Sequence, residues 1–193
     1  TKQRTMTNKS NEDGDKGKKS PFNNQLCKAW CKLLGDGNGT FGFGDTPQAV
    51  EEPRTLALGD IDGDGLVDIV TANRASDDLS IILNAGGGKF RPATPLALPG
   101  ANLPAHVVAA DFDGDGDLDI AVGVDGDPEP SSGVAVLLNA GDGRFDEPGR
   151  VWLGRDPRFL FAGDFDTDGD TDLITAGAFS EEITLIANRG DGT

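Results

Sequence analysis

Tyrosine is absent from this chain of 193 residues, and histidine and methionine occur once each. Histidine chemistry therefore has one candidate, His106, with no placed partner, so a packing or surface role is expected of it. Cysteine occurs twice, at Cys27 and Cys31 in Cys-Lys-Ala-Trp-Cys. That spacing is not Cys-x-x-Cys, and no nearby His or third Cys completes a zinc site. A local disulfide and two free thiols both stay open. Long apolar runs are missing, which excludes a membrane-spanning helix and makes membrane insertion unexpected. The opening Thr-Lys-Gln-Arg-Thr-Met has no signal-peptide core and no initiator Met, so the chain reads as a processed product or a fragment. Basic residues are scarce: 17 Lys/Arg stand against 33 Asp/Glu, for a formal charge of −16. Most of the basic excess sits in residues 1–32, with eight Lys/Arg against three acids, while residues 33–193 carry nine against thirty. An acidic body of this kind does not suit nucleic acid. Ser131 and Ser132 have no matched base, and Gly86–Gly88 lacks the Lys-Ser/Thr of a phosphate loop. With no catalytic constellation, the chain is expected not to be an enzyme.

Glycine is abundant instead, at 28 residues, and only 36% of residues are hydrophobic. That composition suits many turns and short strands, in a chain long enough for one sizeable core. One pattern, Asp-x-Asp-x-Asp-Gly-x-x-Asp, is written three times, at Asp60–Asp68, Asp111–Asp119 and Asp164–Asp172. The steps are 51 and 53 residues, and 14 of the acids lie inside these copies. A second signature follows each: Leu83-Asn-Ala-Gly-Gly-Gly-Lys-Phe90, Leu138-Asn-Ala-Gly-Asp-Gly-Arg-Phe145 and Ala187-Asn-Arg-Gly-Asp-Gly-Thr193. An earlier copy, Leu34-Gly-Asp-Gly-Asn-Gly-Thr-Phe41, has no acidic loop before it.

Periods near fifty point to repeat architectures. The first unit reads as strands Thr55–Gly59, Leu66–Ala72, Asp78–Asn84 and Lys89–Leu98, the last an edge strand because of Pro92 and Pro95. The second repeats this with Ala105–Ala110, Leu118–Val124, Gly133–Asn139 and Arg144–Leu153. The third uses Arg158–Gly163, Thr171–Ala176 and Glu182–Asn188. A four-stranded unit of this size buries both faces only by stacking on copies of itself, as propeller blades do. The expected fold is all-β, with antiparallel four-stranded blades in an incomplete ring. Residues 33–50 would end one blade, 51–98 and 99–153 would form two whole ones, and 154–193 a truncated one. Residues 1–32 would be a basic tail or linker, disordered at least over 1–20. Residues 21–34 fit either a strand of the opening blade or a short helix.

Four or five carboxylates in nine residues repel one another unless a cation lies among them. Calcium takes six to eight oxygen ligands in flexible geometry. Asp60, Asp62 and Asp64 alternate so that their side chains can converge, Gly65 permits the reversal, the Leu66 carbonyl can ligate, and Asp68 closes the shell. The second set is Asp111, Asp113, Asp115, Asp117 and Asp119; the third is Asp164, Asp166, Asp168, Asp170 and Asp172. At Asp117 and Asp170 the main-chain oxygen is the expected ligand. Magnesium dehydrates too reluctantly for such a cage, and zinc lacks nitrogen or sulfur ligands. A helical calcium loop needs an acid at position twelve, where this chain has Thr71, Val122 and Thr175. Three Ca2+ sites are therefore expected. Arg189-Gly190-Asp191 spells an adhesion tripeptide but falls where each repeat has its glycine turn. Asn8-Lys-Ser and Asn38-Gly-Thr are glycosylation sequons.

The acidic loop together with the Asn-x-Gly-x-Gly-x-Phe turn resembles the FG-GAP or VCBS repeat family, found in integrin alpha-subunit heads and many secreted bacterial proteins. The resemblance covers roughly residues 33–193. It implies propeller blades in which the acidic loop joins the first two strands and binds calcium. Gly35 stands where that turn usually has Asn, and residues 1–32 match nothing in the family. Extracellular or cell-surface placement follows, because such sites stay nearly empty at submicromolar calcium. The expected role is a non-catalytic scaffold or a module for glycan or protein recognition and adhesion. The loop Gly126–Gly133 is the first candidate for contacts. Two rivals are a fragment of a secreted carbohydrate-active enzyme, lyase-like, whose catalytic residues lie elsewhere, and a filament subunit that self-associates through open blade faces.

Overall fold

The computed structural model describes residues 33–35, 41–43, 52–100, 102–126, 132–146, 149–152, 157–177 and 183–192. Residues 1–32, with both cysteines, and most of the 126–133 loop lie outside them. The described chain is entirely strand and turn. Two short strands, β1 (Leu33–Gly35) and β2 (Phe41–Phe43), pair antiparallel. A four-stranded antiparallel sheet follows, in the order β3 (Pro53–Gly59), β4 (Asp68–Asn73), β5 (Asp78–Ile82), β8 (Thr94–Ala97). Between β5 and β8, the short strands β6 (Asn84–Gly86) and β7 (Lys89–Phe90) form their own hairpin. The second sheet runs β9 (Pro104–Ala110), β10 (Asp119–Val124), β11 (Gly133–Leu137), β12 (Gly149–Trp152). The third has β13 (Pro157–Gly163), β14 (Asp172–Gly177) and β15 (Ile183–Ile186). These are propeller blades, and among the described residues they close no ring. No helix of the described residues is long and apolar enough to cross a membrane.

The sheets stack face to face: β3 alternates half-buried and exposed positions, whereas β10 and β11 of the second sheet are buried on both faces. Val70, Ala72, Leu79 and Ile81 of the first sheet meet Val107, Ile120, Val122 and Leu137 of the second in one buried cluster. The opposite face of the second sheet, with Ala121, Val134 and Val136, meets Leu160 and Leu173 of the third. Strands β3, β9 and β13 lie side by side at the inner edge. The stack is tight there: a Cβ on Gly123 would sit 2.6 Å from the Pro157 carbonyl oxygen, so glycine is needed at that crossing. Phe159, Phe161, Ile183 and Leu185 of the third sheet lie on its far face and are exposed, Ile183 by 75%.

The inner strands are also pinned by a recurring polar contact. Thr55 Oγ1 accepts the Val107 backbone N–H at 3.1 Å. One repeat later, His106 Nδ1 accepts the Leu160 N–H at 3.4 Å, with its ring tilted against Phe159. The lone histidine thus packs at a blade junction. Burial lowers its pKa below 6.5, so the folded state favours the neutral, accepting ring. As pH falls below about 6.5 the unfolded chain takes up this proton first, and stability contributed by His106 is lost towards its lower folded pKa. Urea melts between pH 7.5 and 5.5 should show a fall in stability that His106→Thr, carrying the Thr55 type of acceptor, removes. An equal fall in both proteins would count against this role.

Several boundaries differ from the sequence reading. The second strands start at Asp68, Asp119 and Asp172 rather than two or one residues earlier, because residues before the last Asp still belong to the loop. The outer strand expected over Lys89–Leu98 is broken: Lys89–Phe90 pairs back on Asn84–Gly86, and only Thr94–Ala97 joins the sheet. In the second repeat, Asn139 bridges to Phe145 and the outer strand begins at Gly149.

Candidate metal centre

Each acidic loop connects the first and second strands of its blade. The ninth-position aspartate anchors it. Asp68 accepts the N–H groups of Ile61 (2.9 Å) and Asn84 (2.7 Å). Asp119 accepts those of Phe112 and Asn139, both at 2.8 Å. Asp172 accepts those of Phe165 and Asn188 at 3.0 and 2.9 Å. All three aspartates are fully buried. Burial raises the pKa of Asp119 against the pull of its two N–H donors. At Asp172, in the end blade, the N–H donors of Asn188 and Phe165 prevail and the pKa is lowered.

The first-position aspartate wraps the turn. Asp60, Asp111 and Asp164 accept the N–H of the sixth-position glycines Gly65, Gly116 and Gly169 at 2.7, 3.0 and 3.2 Å. Those glycines have φ of 83°, 95° and 101°, which a side chain would oppose. The fourth position is also left-handed: Gly63, Gly114 and Thr167 have φ of 72°, 76° and 68°. A β-branched residue there is strained, and the Thr167 N–H bond to Asp164 Oδ1 (2.7 Å) helps hold it.

Three carboxylate groups result, each with one oxygen per residue within 4.8 Å of the others: Asp60, Asp62 and Asp68; Asp111, Asp113 and Asp115; Asp164, Asp166 and Asp172. The carboxylates of Asp64, Asp119 and Asp168 stand outside these sets. Asp117 and Asp170 turn their carboxylates away, against Gly141 and Gly190 of the turn in their own repeat. Asp60 Oδ1 and Asp62 Oδ1 are buried and have no hydrogen-bond partner. Asp62 Oδ2 faces the exposed Arg91 guanidinium at 3.5 Å, so Oδ1 is the oxygen directed elsewhere. Burial, then the charges of Asp64 and Asp68, raise the Asp62 pKa. Loss of hydration and the carboxylates of Asp168 and Asp172 raise that of Asp166. Orphaned buried oxygens among like charges fit a hard cation with oxygen ligands.

The structure adds residues that the spacing arguments missed. Asn139 Nδ2 donates to the Leu118 carbonyl in its own loop (3.0 Å) and to the Ile61 carbonyl in the preceding blade's loop (2.9 Å). Asn188 Nδ2 does the same towards Thr171 and Phe112. Asn84 Nδ2 donates to Val67 of its own loop. The asparagine opening each glycine turn recurred in the sequence, which was the signal for a role.

The stretch 60–122, from the first acidic loop to the strand leaving the second, matches the family model of the FG-GAP-like repeat. The match is consistent with an FG-GAP family repeat over that stretch. No curated protein matches the chain. The FG-GAP-like match spans one asparagine turn and two acidic loops, and so includes Ile61 and Phe112, whose carbonyls accept from the asparagine of the following repeat.

Proposed function

We propose that this chain is a non-catalytic, calcium-binding repeat module that works outside the cell or at its surface. The observation that carries the reading is the pair of buried, unpartnered oxygens, Asp60 Oδ1 and Asp62 Oδ1, inside a three-carboxylate cluster. Left without a cation they would cost several kcal/mol in desolvation and mutual repulsion, on the order given for buried charges. Asp60, Asp62 and Asp68 would hold the first ion, Asp111, Asp113 and Asp115 the second, and Asp164, Asp166 and Asp172 the third. The ion's contribution is structural: it ties the first two strands of a blade together at the loop. Such sites fill where free calcium is about 1 mM, which supports secretion. With His106 committed to a blade junction, the loops and sheet rims remain for recognising a glycan or a protein.

Titration calorimetry of the chelator-treated protein with Ca2+ tests this. Uptake of three ions with dissociation constants of about 0.1–1 mM is the expected result. Asp62→Asn should remove one ion from that count. No heat at millimolar Ca2+ would overturn the reading.

A further inference from the structure

We infer that Asn139 and Asn188, which open the second and third of these glycine turns, are each a positioning residue for two metal loops at once, coupling ion binding to the docking of neighbouring blades. The inference rests on the calcium reading above and concerns what prepares the loops. Asn139 holds the carbonyl of Ile61, the residue between Asp60 and Asp62, whose Oδ1 atoms are the unpartnered pair. Its Oδ1 accepts the N–H groups of Gly141 (3.1 Å) and Gly143 (3.2 Å), so the amide is fixed by its own turn. That turn lies on the first loop: a Cβ on Gly63 would meet the Gly141 oxygen at 3.3 Å, and one on Gly143 would meet Asp62 Cβ at 3.8 Å. The second loop is covered alike. Asn188 Nδ2 and the Gly192 N–H (3.1 Å) both donate to the Phe112 carbonyl, between Asp111 and Asp113. Among the described residues, no such turn covers the third loop, and Asp164, Asp166 and Phe165 are exposed there.

Each of these two turns therefore orders the loop behind it as well as its own. Binding free energy at a loop is shared with the blade junction, and the coupling is reciprocal. Removing one clamp should weaken a defined pair of loops by about five- to tenfold, the scale of a lost hydrogen bond that orients ligands.

The test is a Ca2+ titration of the full chain followed by NMR at the amides of Gly65, Gly116 and Gly169, each hydrogen-bonded to its loop's first aspartate. In the parent protein all three should shift. Asn139→Ala should raise the midpoints at Gly65 and Gly116 and leave Gly169 unchanged. Asn188→Ala, in the end blade, should raise those at Gly116 and Gly169 and leave Gly65 unchanged. Midpoints that move together in both variants, or not at all, would overturn the coupling. Three amides silent to Ca2+ in the parent would overturn the calcium reading itself.

Discussion

Chelating divalent ions should lower the melting midpoint of this protein by about 8–16 °C relative to 1 mM Ca2+. The figure follows from the loops. A site with a dissociation constant of about 0.1 mM adds about 1.4 kcal/mol at 1 mM free ion, because only the folded chain presents the cluster. Three such sites add about 4 kcal/mol, and a domain of this size moves by about 2–4 °C per kcal/mol. That is a large share of a typical total of about 5–15 kcal/mol. Scanning calorimetry with chelator, then with Ca2+ restored, reads the difference directly. Restored Mg2+ at the same concentration should recover little of it, since magnesium gives up its hydration reluctantly. An unchanged midpoint would remove structural calcium from the account.

Asp119→Ala should be the most damaging single substitution in the loops, at about 3–5 kcal/mol. It would strand two buried donors, the N–H groups of Phe112 and Asn139, each costing about 1–3 kcal/mol when left without an acceptor. Asp119 sits in the middle blade, where both neighbours depend on the local backbone. Its role can be separated from ion binding. Urea unfolding in chelator should still show the deficit, because the carboxylate acts on backbone groups. A deficit that vanishes in chelator would mean that Asp119 matters only through the ion. Asp119→Asn should fall between, since it keeps one acceptor oxygen but turns an NH2 towards a donor.

Much of this architecture could be read before any coordinates. The 51- and 53-residue steps of the acidic pattern set the repeat, and the alternation of Leu79 and Ile81 marked a sheet with a buried face. The absence of an acid at position twelve argued against helices after the loops, and β4, β10 and β14 follow them. Local pattern could not show what the turn does. Asn139 reaches Ile61 across 78 residues, a contact that only stacking creates. Nor could it divide the carboxylates by task. The same residue type serves as backbone anchor at Asp119, as turn wrapper at Asp60 and as outward cover at Asp117, and only the backbone path separates these roles. The outer strands were read as too continuous for a related reason. Lys89 and Phe90 have strand character, but the turn before them folds them onto Asn84–Gly86 first.

The clamp asparagines also say something about how such a chain can grow. Each unit carries half of the joint behind it and half of the joint ahead, its asparagine following the first aspartate of its acidic loop by 24, 28 or 24 residues. Tandem duplication of one whole unit would insert both halves in phase and preserve every seam. The second unit is four residues longer between its last loop aspartate and Asn139, and Asn139 still reaches both Leu118 and Ile61, so the seam tolerates length in the connection between β10 and β11. Selection on length should therefore fall on the nine-residue acidic loop and on the run from Gly133 to Asn139, while the connection between β10 and β11 is free to vary.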